Sequence, residues 1–343
     1  MSTAKSIVST LAPVVPVGLA HSFAGAPLVL PYYHMVSDEI LPHVAPLYSY
    51  RNIRQFTADV DFFLKHFQPV NLSEVLAHVR NQTHLPRHAF FLTFDDGFRE
   101  VAEVVAPILK AKGVPAAFFV NSAFVDNREL CMHQKRALLV SRLLPAHAEK
   151  LKQFLRQKDI ADADITAMLE SVPYAKRAIF DEAAALFGLD YAGFLTQQKP
   201  YLSSDQIRGL LRDGFAIGGH SVDHPFYGHL TLEEQLRQTR DSVEFVCKTF
   251  GVRIRSFAFP HSDTGVSRAF FERSYANGTL EISFGTGGLL RDAWPGHFQR
   301  YSMEKVSRSP WQILAWQLAR ALNGRIVPRA NMPSGPAAAS SIR

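Results

Sequence analysis

Two stretches of this 343-residue chain carry side chains whose types and spacing could do hydrolytic chemistry. The apolar run Phe90-Phe91-Leu92-Thr93-Phe94 ends in Asp95-Asp96-Gly97, and far downstream Gly218-Gly219 leads into His220-Ser221-Val222-Asp223-His224. Adjacent side chains in extended backbone point opposite ways, so Asp95 and Asp96 share a site only if the chain turns there, and Gly97 supplies the turn. Two carboxylates this close repel and separate in pKa unless a cation neutralises one of them. His220 and His224, one helical turn or one tight turn apart, can bind a single ion. With a carboxylate from Asp95 or Asp96 they reach the three-ligand count of a catalytic metal site, with positions open for water and substrate. The competing reading is an Asp cap on a helix expected from Phe98 to Lys112. The metal-type ligands elsewhere in the chain decide against it.

Such groups meet only if strands deliver them to one end of a sheet. Apolar runs at Pro27–Tyr33, Phe90–Phe94, Pro115–Val120, Gly214–Gly219, Ser256–Phe259 and Glu281–Phe284 read as buried strands. The first ends at His34, the fourth at His220 and the fifth at Pro260-His261. Helical periodicity falls between them at Gln55–Phe67, Leu72–Val79 and Phe98–Lys112. Ser203 caps a helix to Arg212, and the capping box Thr231-Leu232-Glu233-Glu234 opens one to about Phe250. Pro310–Leu322 forms a covering helix. Strand, helix and strand with short connections imply parallel βαβ units. The segment 121–200 lacks a strand-like run and shows helical segments around Gln134–Leu144, Glu149–Gln157 and Tyr174–Phe187. It reads as a helical insertion in a βα loop beside the active end. The pattern predicts one α/β barrel-like domain over residues 1–330, followed by a small, polar, disordered tail at 331–343.

With 47% hydrophobic residues and 26 Phe the chain can bury a sizeable core. Cys131 and Cys247 fit no CxxC pattern and cannot make a disulfide framework. No apolar run reaches the eighteen or so residues of a transmembrane helix. The N-terminal stretch around Ile7–Ala20 holds one lysine before it and two prolines within it, a weak leader pattern. The expected compartment is therefore the cytoplasm, with periplasm or secretion as the alternative. The net charge of +6 is local: residues 291–343 hold eight Arg or Lys against two acids. This basic region is a candidate for contact with an anionic membrane surface or a phosphate-linked substrate. No nucleic-acid module is present in the pattern. Gly285-Thr286-Gly287-Gly288 lacks the Lys-Ser or Lys-Thr of a phosphate loop and reads as a simple loop.

Thr93-Phe94-Asp95-Asp96-Gly97 and His220-Ser221-Val222-Asp223-His224 resemble the first two motifs of the polysaccharide deacetylases, the NodB-homology carbohydrate esterase family 4, with the likeness spread over about residues 27–305. The resemblance implies a distorted (β/α)7 barrel and metal-dependent removal of N-acetyl, sometimes O-acetyl, groups from sugars in cell-surface polysaccharide. It implies that Asp96, His220 and His224 hold the metal, usually zinc, with Co2+, Ni2+ or Fe2+ as alternatives, and that Asp95 is the free base. It places the oxyanion-binding N–H just after Pro260, at His261. The chain departs from the family pattern at three points. His261 stands where an aromatic is usual, Ala258 stands where an Arg usually braces the base, and no His follows His297 to serve as the late acid. Arg300 is the candidate for the brace. The Tyr33-His34 strand end is similar to the start of the poly-N-acetylglucosamine deacetylase branch, where the last motif has moved to the N-terminus. That likeness makes His34 the expected acid, with His297 as runner-up.

Three other readings share some of these residues. A deformylase or amidase acting on a lipid-linked sugar or small amide keeps the scaffold and changes the bond. A two-His-one-carboxylate iron oxygenase keeps the ligands but has no need of a second adjacent Asp. A non-catalytic sugar-binding protein needs no base beside a metal site.

Overall fold

The computed structural model of the chain describes residues 28–142, 145–162, 164–290 and 292–323. The leader-like stretch, the tail at 331–343 and much of the basic region therefore lie outside the described residues. The frame is a parallel sheet of β1 (Pro31–Tyr33), β2 (Leu92–Phe94), β3 (Ala116–Val120), β4 (Ala216–Gly219), β5 (Ser256–Ala258), β6 (Ile282–Gly285), β7 (His297–Gln299) and β8 (Tyr301–Ser302). Its order is β7-β6-β5-β4-β3-β2-β1-β8. The two edge strands, β7 and β8, are one chain segment: β7 pairs with β6, and β8 pairs with β1. The sheet closes on itself through that segment, and Arg300 sits at the seam. Counted as segments, the wall has the seven members of a distorted (β/α)7 barrel. A second parallel set, Leu28–Val29, Ala89–Phe90 and Gln68–Pro69, extends the N-terminal ends of β1 and β2.

The strands are apolar on both faces because both are covered. In β3, Phe118 and Val120 pack outward against helices in a cluster with Phe56, Phe63 and Val246. Ala117 and Phe119 point the other way, into a cluster with Phe91, Ala258 and Phe284. Phe119 meets Phe284 with ring centroids 5.4 Å apart. Their strands are not neighbours, so these rings fill the barrel interior. Gly218 has no room for a side chain, since a Cβ there would lie 2.5 Å from the Phe119 ring and Ser256 Oγ.

The helices begin where side chains can satisfy free N–H groups. Asn52 with Gln55 caps α1 (Ile53–His66), Asn71 with Glu74 caps α2 (Leu72–Asn81), and Ser203 with Gln206 caps the later helix Ser204–Arg212. The helix expected from Phe98 begins instead with a π-turn at Val101–Val105 and continues as α3 (Ala106–Ala111). Phe98 forms a bridge to Tyr201, and Pro107 lacks the N–H that a regular α-turn would use there. The insertion contains α4 (Met132–Arg142), α5 (Pro145–Gln157), α6 (Ile165–Glu170), α7 (Ile179–Phe187) and α8 (Tyr191–Gln198). Leu139, Leu151, Leu155, Met168 and Phe180 give it an apolar cluster of its own. After it come α9 (Ser204–Arg212), α10 (Leu232–Phe250), α11 (Arg268–Ala276) and α12 (Pro310–Asn323). Among the described residues no helix is long and apolar enough to cross a membrane.

Candidate metal centre and active site

The strand ends deliver His34 from β1, Asp95 and Asp96 from β2, His220 from β4 and Glu304 from beyond β8 to one mouth of the barrel. Asp96 turns away from Asp95 because its backbone is left-handed, φ +69°, followed by Gly97 at +66°. Ser221, His224 and His261 share that conformation, with φ of +69°, +64° and +55°. Each such residue costs of order 1–3 kcal/mol and persists only when the surroundings hold it, which marks this mouth as a functional site.

The two adjacent acids have opposite surroundings. Asp95 is clamped by Arg300, Nη1 to Oδ1 at 2.7 Å and Nη2 to Oδ2 at 2.8 Å. Arg300 is fully buried. It also donates to Thr93 Oγ1 and the Gly285 carbonyl, and its guanidinium lies over the Tyr32 ring at 4.8 Å. Burial alone would raise the Asp95 pKa, but Arg300, with His220 and His34, holds it below the usual carboxylate value.

Asp96 faces imidazoles instead. Its Oδ1 lies 3.1 Å from His224 Nε2 and 3.3 Å from His220 Nε2, yet makes no hydrogen bond of acceptable geometry. His220 Nδ1 donates to the Ala258 carbonyl at 2.8 Å, which in the neutral ring leaves a lone pair on Nε2. Acceptors then converge from two sides, an arrangement that suits a shared cation. Metal–nitrogen bonds of 2.0–2.1 Å place neighbouring tetrahedral ligands about 3.3 Å apart, and the observed separations match. Asp96, His220 and His224, all buried, could hold such an ion. Burial opposes ionisation of Asp96, but His224, His220 and His34 bring its carboxyl well below the usual range.

His34 Nδ1 is 2.5 Å from Glu304 Oε2, and the His34 backbone N–H donates to Glu304 Oε1 at 2.8 Å. Burial lowers the His34 pKa, but Glu304, helped by Asp96 and Asp95, raises it to about 10. Pro260 follows β5, and His261 points its ring at His224, centroids 4.4 Å apart. His297 lies elsewhere, buried with Nδ1 on Ser283 Oγ at 2.8 Å and Nε2 on Asp263 Oδ2 at 3.2 Å. Three residues at this mouth went unnamed in the sequence. Asn121, at the end of β3, donates to the His220 carbonyl, and its strand-end position was a usable signal. Glu304 and His133 gave no local signal; His133, from α4, sets Nε2 3.1 Å from His261 Nε2.

In parallel β/α barrels the C-terminal strand ends are where active sites sit, and these titratable side chains gather there. A sequence model of the polysaccharide deacetylase family matches residues 82–163 and 181–274, and the chain belongs to that family. It is therefore a deacetylase-type hydrolase. No curated protein sequence matches it. Among solved structures it is similar to the Streptococcus pyogenes deacetylase PplD in complex with acetate, at 14% identity and a TM-score of 0.53, over 84% of this chain and 96% of that one. It is similar to IcaB from Ammonifex degensii at 16% identity and 0.54, over 86% and 97%. The polysaccharide deacetylase BC0361 from Bacillus cereus matches at 12% identity and 0.50, over 85% and 68%. At these identities the likeness is one of fold.

Proposed function

We propose that this chain is a metal-dependent deacetylase that removes N-acetyl groups from a sugar or polysaccharide, serving the biosynthesis or modification of cell-surface polysaccharide. The observation that carries the reading is the division of Asp95 from Asp96, one paired with a guanidinium and the other aimed with two imidazoles at a common point. A divalent ion held by Asp96, His220 and His224 would polarise the amide carbonyl and acidify the attacking water. The donor set suits zinc, with Co2+, Ni2+ and Fe2+ as the other candidates.

Asp95, ionised and held in place by Arg300, takes the proton from the attacking water at a carboxylate oxygen. The backbone N–H of His261, after Pro260, is assigned to the oxyanion that forms on the former carbonyl. His34 keeps Nδ1 on Glu304 and donates from Nε2 to the departing nitrogen as the C–N bond breaks, giving acetate and a free amine. An acid supplied by the first strand also favours the poly-N-acetylglucosamine deacetylase branch. The direct test is acetate release from N-acetylhexosamine oligomers, which should vanish with a chelator and return with zinc. Release that ignores the chelator would reject metal dependence.

A further inference from the structure

The side chains of His133 and His261 have no part in the reaction above. They nonetheless set Nε2 atoms 3.1 Å apart, and His224 completes a group whose ligand atoms all lie within 4.8 Å of one another. A hydrogen bond between two neutral imidazoles would explain the one short contact. It would not explain the third ring, or why His261 is kept in a left-handed conformation to face it. The 3.1 Å separation is close to the roughly 3.3 Å between two nitrogens bound to one tetrahedral ion. His224 has a nitrogen to offer: Nε2 faces Asp96 Oδ1, whereas Nδ1 is buried without a hydrogen-bond partner.

We propose that His133, His261 and His224 form a second divalent-cation site beside the Asp96–His220–His224 group, with His224 common to both. An all-imidazole donor set selects Zn2+, Co2+, Ni2+ or Cu2+ over Mg2+ and Ca2+, which require oxygen ligands. With Nε2 turned to the first ion, His224 offers its unpartnered Nδ1 to the second, and the ring bridges the two. His261 is exposed and His133 half-buried, so this site is the wetter of the two and fills second. Its occupation ties α4 of the insertion to the loop after β5. The inference depends on the reading above only through the first ion at His224, and the variants below separate the two.

The test is zinc titration of the full-length, metal-stripped protein by calorimetry, with bound zinc counted after dialysis. The wild type should take two ions per chain. Loss of an outer-sphere partner already costs 10–100-fold in metal affinity, so removing a direct ligand should weaken the second site at least about 100-fold. His133→Ala should therefore bind one ion, with the first affinity unchanged within about threefold. His133→Gln, which keeps a polar side chain of similar reach, should do the same and guards against a local packing defect. Asp96→Ala should lose the tighter ion and keep the weaker. If Asp96→Ala instead keeps the tighter ion, the first-site assignment fails while the second stands or falls by His133. One ion in the wild type at saturating zinc, or two in His133→Ala, overturns the inference. One ion in both proteins with a raised KM in the variant would make the pair a substrate contact instead.

Discussion

The two sides of the barrel mouth are built on different principles. On the Arg300 side, Asp95, Thr93, Gly285 and the guanidinium satisfy one another, and the aromatic ring of Tyr32 covers the assembly. On the imidazole side, Asp96 Oδ1 and His224 Nδ1 are buried without hydrogen bonds, and ring nitrogens face a carboxylate oxygen that none of them satisfies. Buried polar groups ordinarily find partners, so the contrast separates a finished network from an unfinished one, which is what the proposed metal site requires. In the proposed reaction the finished side would fix the geometry of the proton acceptor, and the unfinished side would gain its binding energy from the ion.

Stability measurements can break this contrast. Arg300→Met leaves the Asp95 carboxylate buried and unpaired, and should cost about 3–5 kcal/mol by denaturant unfolding. A cost below about 1 kcal/mol would show that the clamp is not a closed network. On the other side, a chelator should lower wild-type stability by about 4 kcal/mol relative to protein at a thousandfold excess of zinc over its Kd. Asp96→Asn should lose the larger part of that difference, the part that the tighter ion contributes. Turnover sharpens the contrast further: His34→Ala should lose at least about 100-fold in kcat with bound metal unchanged, and an unaffected kcat would move the acid role elsewhere.

The smallest effect expected concerns Glu304. The folded-state pKa of His34 is raised from 6.5 to about 10, so the stability gained from its pairing is complete below 6.5 and lost as pH rises through 10. Glu304→Gln should flatten that loss and move the alkaline limb of turnover down from near 10 toward 6.5. An unmoved limb would mean that Glu304 does not set the proton on His34.

Most of the frame could be read from the chain because its strands are apolar on both faces and stop at polar residues. The closing strand segment could not. His297, Gln299 and Arg300 give it a polar look, yet those side chains are buried against Asp263 and Asp95, and the buried partners restore what the sequence lacked. In the insertion, α6 and α8 are too short for a helical period to register. The adjacent acids and the paired histidines were legible because their spacing is local. Arg300 stood out only as a cation near a departed motif. Glu304 lies 270 positions from His34, and His133 lies 128 from His261, so chain folding alone creates those pairs.

Of the two neighbouring acids, Asp96 is proposed to bind the metal and Asp95 to move the proton. Bound zinc and acetate release, measured on the same preparations of wild type and Asp95→Asn, test this most directly. Equal zinc in both proteins is expected, with acetate release reduced about 10²–10⁴-fold in the variant. Undiminished acetate release, or zinc lost together with activity, would contradict it.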